Sequence, residues 1–131
     1  IRYTMNGDAP SETVGAVYGE PITVGRTTTL RALATAPGFL PSPVQTHTYL
    51  FPAQVTHQPA NPPGFPRTWG WCNGRPTPAD YEMDPSITYH ADYRATIVDD
   101  LQTLPVLSIV TSRADMFGPT GIYAYPLKHG R

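Results

Sequence analysis

Proline is the residue that most limits how this chain can fold, because it occurs 16 times among 131 residues. Each proline lacks a backbone N–H and breaks the hydrogen bonding of a helix interior. Prolines at this density favour short strands that are joined by rigid loops. The hydrophobic fraction of 40% is nevertheless sufficient for a core, so we do not expect wholesale disorder.

Residues 1–51 show the pattern of successive short strands separated by turns. Residues 28–35 alternate between two faces, with Thr28, Leu30, Ala32 and Ala34 on one and Thr29, Arg31 and Leu33 on the other, and their β-branched threonines suit a half-buried strand. Asn6-Gly7 supplies the positive φ angles of a tight turn, and turn signals recur about every 8–12 residues, as in β-sandwiches. We therefore predict a mostly-β, immunoglobulin-like sandwich over 1–51. Its remaining strands are expected at 14–18, 21–24 and 44–51.

The first four residues, Ile1, Arg2, Tyr3 and Thr4, alternate in hydrophobicity like the middle of a strand. A sandwich needs an earlier strand to cover them, so we expect that the first strand is missing. An uncovered strand edge can accept a strand from a neighbouring domain or subunit. The sequence thus predicts a strand-pairing edge at residues 1–4, and such an edge can join copies head to tail.

Residues 52–78 are rich in proline and glycine and predict an irregular, semi-rigid connector. Aromatic residues in and just after it are the best candidates for contact with a ligand or partner, namely Phe65, Trp69, Trp71 and Tyr81. Aromatic faces stack on sugar rings, but large aromatics more often pack in a core. Exposed, coplanar tryptophans would favour carbohydrate binding, whereas buried ones would argue against it.

Residues 79–131 form an extension that carries the helical signals. Asp84 before Pro85 is typical of a helix start. Asp92 is expected to cap a helix at about 93–103, which Leu104-Pro105 ends. The apolar run that follows predicts a strand at 106–111, buried on both faces. A turn of helix at 114–117 and a strand at 122–125 complete the expected elements.

Charge and composition exclude several classes of function. The net charge of −1 gives no attraction for nucleic acid, and no window approaches the roughly 18 apolar residues of a membrane span. The single cysteine, Cys72, can form no internal disulfide. The carboxylates Asp99, Asp100 and Asp115 lack further oxygen ligands at regular spacing. Without a glycine-rich phosphate cradle, we predict no catalytic residue, metal or cofactor.

Residues 1–51 resemble the small modules called chitobiase/β-hexosaminidase C-terminal domains, or fibronectin-type-III-associated repeats. Family members more often have Asp-Gly-Ser where this chain has Asn6-Gly7-Asp8, which keeps the turn chemistry. The resemblance implies a module of a larger secreted protein, and it does not by itself imply sugar binding. The matching segments are Tyr3-Thr4-Met5-Asn6-Gly7-Asp8-Ala9-Pro10, Tyr18-Gly19-Glu20-Pro21-Ile22, Thr27-Thr28-Thr29-Leu30-Arg31-Ala32 and Gly38-Phe39-Leu40-Pro41-Ser42.

Residues 53–131 resemble the segment that precedes the kinase core in secreted bacterial proteins of the spore-coat CotH type. In that family the phosphate-binding and metal-binding residues lie further along the chain, so none is assigned here. The matching segments are Ala79-Asp80-Tyr81-Glu82-Met83-Asp84-Pro85, Asp99-Asp100-Leu101, Leu104-Pro105-Val106-Leu107-Ser108-Ile109-Val110 and Asp115-Met116-Phe117-Gly118-Pro119-Thr120-Gly121-Ile122-Tyr123.

These observations predict a non-catalytic structural or interaction module of a larger secreted or cell-surface bacterial protein. Its partners would be neighbouring domains or subunits of the same protein, reached in part by strand pairing. Two alternatives stay open. The first is a carbohydrate-binding accessory module, and the second is the N-terminal part of a CotH-like protein kinase.

Overall fold

The structure is a computed structural model of the chain, and it describes residues 1–123. The chain divides into two compact units. The first unit contains Ile1–Phe51 together with Leu107–Ser112, and the second contains Pro52–Val106 and, within the described residues, 113–123. The boundary after Phe51 falls where the strand-rich sequence gives way to the proline-rich one.

The first unit is built on a four-stranded antiparallel sheet in the order β2-β1-β3-β4. Its strands are β1 (Arg2–Thr4), β2 (Ala16–Val17), β3 (Thr28–Leu33) and β4 (Gln45–Tyr49). Strand β3, with six residues, lies inside the sheet between β1 and β4. Its β-branched threonines favour the extended conformation of a strand. Both of its end residues, Thr28 and Leu33, are buried.

The sheet confirms the mostly-β character of residues 1–51 but not a sandwich. A sandwich needs a second sheet that packs face to face with the first, and the described residues of this unit form one sheet. The strand expected at 21–24 is wrong, because these residues take no regular structure. Pro21 has no backbone N–H to donate to a neighbouring strand, and a segment of four residues has few other hydrogen bonds that could replace the missing one.

The predicted strand-pairing edge at Ile1, Arg2, Tyr3 and Thr4 is also wrong, because β1 lies inside the sheet. It pairs with β2 on one side, where Arg2 faces Val17, and with β3 on the other. The edge of β1 is covered by β2 of the same chain, and Gly15 (φ 103°), just before β2, lets the two strands approach each other. A Cβ atom at Gly15 would lie 2.7 Å from the Tyr3 carbonyl oxygen, so only glycine permits this approach. The sheet edges are β2 and β4.

The strand predicted at 106–111 is wrong in both its structure and its burial. Residues 106–111 form no strand, and Val106, Leu107 and Ile109 are 64%, 85% and 79% exposed. Ser108 is linked to Thr48 on β4 by a hydroxyl–hydroxyl hydrogen bond of 2.6 Å. A strand needs a partner strand, and neither sheet of the described residues includes this apolar segment.

The second unit combines short helices with one hairpin. Its elements are α1 (Pro52–Val55), β5 (Thr68–Cys72), β6 (Arg75–Pro78), α2 (Pro85–Thr88), α3 (Ile97–Thr103) and α4 (Arg113–Phe117). The irregular connector predicted over 52–78 is therefore wrong for 68–78. Asn73 (φ 52°) and Gly74 (φ 74°) make the tight turn between β5 and β6, and positive φ at both positions is the requirement of a two-residue hairpin.

Of the two helix starts predicted from sequence, the one at Asp84 is confirmed. Its carboxylate accepts a 2.8 Å hydrogen bond from the Ser86 N–H, and Pro85 begins α2. The helix expected from 93 instead begins at Ile97, after Thr96. Asp92 does not cap it, because Thr96 holds the N-cap position; the Asp92 N–H donates instead to Nδ1 of His90 in a preceding turn (3.2 Å).

The carboxylate of Asp84 should make the stability of the α2 N-terminus depend on pH. Hydrogen bonding by the side chain and then by the backbone N–H of Ser86 lowers the pKa of Asp84. Asp84→Ala should therefore destabilise the second unit at neutral pH. A lowered pKa means that the stabilisation is present above the unfolded pKa of about 3.9 and is lost as the pH falls through the folded value.

Urea unfolding of the wild type and Asp84→Ala at pH 7 and near pH 2 measures this effect. Asp80→Ala, which removes an exposed aspartate outside α2, is the control. We expect the difference between the wild type and Asp84→Ala to shrink at the lower pH. An equal difference at both pH values would show that the carboxylate charge contributes nothing to the cap.

The strand predicted at 122–125 is wrong for the residues that can be compared. Ile122 and Tyr123 form a turn, whereas Ala124 and Tyr125 lie outside the described residues.

Candidate functional site

Five aromatic side chains of the second unit meet in one place, and we call them the aromatic cluster: Phe65, Trp69, Tyr81, Phe117 and Tyr123. Trp69 is at its centre, with its ring 5.0 Å from Tyr123 in a stacked arrangement and 5.2 Å from Tyr81 edge to face. Phe117 stacks on Tyr123 at 5.4 Å, and Phe65 contacts Tyr81 at 5.5 Å. These are the preferred geometries of aromatic pairs.

Hydrogen bonds that fold the chain back onto α4 hold Tyr123 in the cluster. The N–H of Ile122 donates to the Asp115 carbonyl, and the N–H of Tyr123 donates to the Met116 carbonyl, each at 2.9 Å. Gly121 makes this return possible, because a Cβ atom there would lie 2.7 Å from the Met116 carbonyl oxygen. A side chain at this position would force the backbone apart.

A cation closes one side of the aromatic cluster. The guanidinium of Arg113 lies 4.8 Å from the centre of the Phe65 ring and donates a hydrogen bond of 3.1 Å to the Gly64 carbonyl. An arginine over an aromatic face is attracted by the ring quadrupole. Arg113 therefore ties α4 to the loop that precedes β5.

A β-bulge separates the two tryptophans. Thr68 faces Pro78 and Trp71 faces Pro76, so two residues of β5 lie opposite one of β6. Gly70, with φ 62°, absorbs the extra residue. Trp69 is half-buried in the aromatic cluster, whereas Trp71 is 63% exposed.

An open cleft of about 270 Å³, which we call the Trp71 cleft, lies beside the exposed indole. Phe117 and Tyr123 belong both to the aromatic cluster and to this cleft, so the packed rings form one of its walls. The cleft is lined by Pro66, Thr68, Gly70, Trp71, Phe117 and Tyr123.

A second groove, of about 330 Å³, has mainly apolar walls contributed by α2, α3 and their flanking residues. It is lined by Ile87, Tyr93, Ile97, Asp100, Leu101 and Leu104. Ile97, Leu101 and Leu104, which follow one another at helical spacing, thus line an open groove and not a closed core.

The structure brings together three of the four aromatic residues that were candidates from sequence, Phe65, Trp69 and Tyr81, and leaves Trp71 exposed at the adjoining cleft. Sequence reasoning missed Phe117 and Tyr123, which are remote in the chain. One usable signal was overlooked. Asn73-Gly74, between Trp71 and Arg75, is a hairpin signature that places both tryptophans on one strand.

Two polar atoms inside the aromatic cluster are buried without a hydrogen-bond partner in the described part of the protein, the indole N–H of Trp69 and the hydroxyl of Tyr81. Leaving such groups unpaired costs free energy. The Cys72 thiol, by contrast, is exposed at the end of β5. Among residues 1–123, no three histidine, cysteine, aspartate or glutamate side chains lie together as metal ligands, and no helix has the length and apolar character to cross a bilayer.

Comparison with protein families matches residues 1–49 to the model described as Fn3 associated. These residues therefore form a fibronectin-III-associated module, which indicates one part of a larger protein. The match does not extend to residues 50–131, so it adds nothing to the CotH resemblance. Comparisons with curated proteins and with solved structures found no match.

Proposed function

We propose that this chain is a non-catalytic interaction module of a larger secreted or cell-surface bacterial protein. One observation carries the proposal. Large apolar side chains are open to solvent in both units, among them Leu40 in the first and Val106 in the second. Apolar surface of this kind supports a role in which neighbouring domains or subunits cover it.

The exposed surface is apolar in specific places. Phe39 and Leu40, in the loop between β3 and β4, are 77% and 93% exposed. A hydrogen-bonded turn shapes this loop, because Pro37 and Gly38 (φ 79°) lie at its centre and the Phe39 N–H donates to the Ala36 carbonyl. Large exposed apolar groups on an ordered frame are typical of contact sites.

The immunoglobulin-like sandwich forms part of the same proposal. A single four-stranded sheet leaves a face to be covered, and strands from a neighbouring domain would supply the second layer. The fibronectin-III-associated match at residues 1–49 supports a module of a larger protein, in which such a neighbouring domain would be present. The secreted location is proposed from the resemblance of residues 1–51 to modules of larger secreted proteins.

A CotH-like kinase whose N-terminal part is this chain is the second candidate. The observation that favours it is the exposed apolar segment containing Val106, Leu107 and Ile109. Such a segment suits the first strand of a following domain, whose sheet would bury it. Binding of ATP by the native protein, but not by residues 1–131 alone, would support this candidate.

Carbohydrate binding is the third candidate, and it is favoured by the exposure of Trp71 beside an aromatic wall. The two-tryptophan platform considered from the sequence does not form, because Trp69 packs against Tyr81 and Tyr123. Any sugar would therefore stack on one tryptophan.

Intact mass measurement and peptide mapping of the native protein test the leading proposal. We expect peptides that continue beyond residues 1–131 or a partner that copurifies stoichiometrically. A native chain that is confined to these residues and stays monomeric at high concentration would contradict it.

A further inference from the structure

We propose that the Trp71 cleft binds one neutral pyranose ring, with the face of the Trp71 indole as its platform. The inference rests on the carbohydrate candidate and gives it a location, a ligand class and a size. It does not depend on whether neighbouring domains cover the rest of the chain.

The position of Trp71 suits a stacking platform. Its indole is 63% exposed, and the residue lies on a strand paired to Pro76. The bulge at Gly70 turns the chain between Trp69 and Trp71, so that one indole packs inward and the other borders the cleft. Bulges commonly re-aim side chains in this way next to binding sites.

The wall opposite the solvent is rigid. Tyr123 is stacked between Phe117 (5.4 Å) and Trp69 (5.0 Å), and the turn after α4 fixes its backbone. A wall that does not reorganise lowers the entropic cost of binding. The aromatic cluster thus acts as the support of the cleft.

The lining residues define the chemistry of the ligand. None of them carries a charge at neutral pH, so nothing there compensates the desolvation of a charged ligand. Aromatic faces attract the C–H-rich face of a sugar ring, and the Thr68 hydroxyl can exchange hydrogen bonds with sugar hydroxyls. A neutral pyranose presents both kinds of surface.

The size of the cleft limits the ligand to one ring. Its volume of about 270 Å³ is near the lower end of small-molecule pockets, roughly 300 Å³. A ligand this small gains little free energy, so we expect dissociation constants on the order of a millimolar. Useful affinity would then come from several copies on one glycan surface.

Saturation-transfer NMR with the intact chain and methyl glycosides of neutral hexoses tests the proposal. The probes are the methyl glycosides of glucose, galactose, mannose and N-acetylglucosamine. We expect saturation transfer to the ring protons of at least one probe. Trp71→Ala should weaken that binding about tenfold, the loss expected for one stacking contact.

Tyr89→Ala is the matched control, because Tyr89 is an exposed aromatic (65%) of the same unit outside the cleft. It should leave binding unchanged. Thermal unfolding of both variants shows whether they fold, and Trp71→Phe, which retains an aromatic face, should keep most of the affinity.

Three outcomes would overturn the inference: no transfer to any probe, equal loss in both alanine variants, or selective binding of a proline-rich peptide in place of sugars. Peptide mapping distinguishes failure here from failure of the leading proposal. A longer parent chain without sugar binding would remove the cleft's function and leave the interaction module intact.

Discussion

Replacing Trp69 with alanine should lower the free energy of unfolding of the second unit by about 3 kcal/mol, near the lower end for large aromatic truncations because the side chain is half-buried. Trp69 contacts Tyr81 and Tyr123, and its loss leaves a void at the centre of the aromatic cluster. The packing of Phe117 on Tyr123 would loosen as a result. Urea unfolding followed by near-ultraviolet circular dichroism measures the change.

Trp71→Ala is the matched control, because it removes the same side chain two residues along the same strand. Trp71 is largely exposed, so its loss should cost no more than about 0.5 kcal/mol. Equal destabilisation by both substitutions would contradict the distinction between a packed and an exposed tryptophan. The NMR spectrum of each variant at low urea shows whether the first unit stays folded.

Gly121→Ala should destabilise the second unit by about 2–3 kcal/mol, the usual cost of overpacking. The added Cβ atom would lie 2.7 Å from the Met116 carbonyl carbon and oxygen and 2.9 Å from the Ala114 carbonyl oxygen. These neighbours are backbone atoms, which cannot move aside as a flexible side chain does. Relief of the clash would pull Tyr123 away from Trp69 and Phe117.

Gly19→Ala is the control for Gly121→Ala, because a Cβ atom at Gly19 meets no atom within 4 Å. We expect it to be close to neutral. Chemical shifts of the Tyr123 ring report the displacement directly. A stable Gly121→Ala variant with an unchanged Tyr123 environment would refute the account of how the turn after α4 builds the aromatic cluster.

Local chemistry made part of the fold predictable. The two-face alternation at 28–35 identified β3, and Asp84-Pro85 identified the start of α2, because in both cases the signal lies in the residues that form the element. The hairpin at 68–78 was missed although Asn73-Gly74 marks its turn. Pro76 and Pro78 made a strand at this position look unfavourable. Both strands of a two-stranded hairpin are edge strands, however, and edge strands tolerate proline.

Features that depend on distant residues could not be predicted in the same way. Phe117 and Tyr123 reach Trp69 only through the fold, and no spacing in the sequence links them. The burial predicted for residues 106–111 assumed a partner strand, which the described residues do not provide. The prediction of an open edge at Ile1–Thr4 failed for the same reason. β2 pairs with β1 only because Gly15 lies close to the Tyr3 carbonyl, and this approach depends on the loop that precedes β2.

Hydrogen exchange of the amides at 106–110, measured in the native protein and in residues 1–131 alone, tests the central claim most directly. These amides belong to the exposed apolar segment that a neighbouring domain or subunit is proposed to cover. The account predicts rapid exchange in residues 1–131 alone and strong protection in the native protein. Equally rapid exchange in both would contradict it, because this exposed apolar segment would then have no partner.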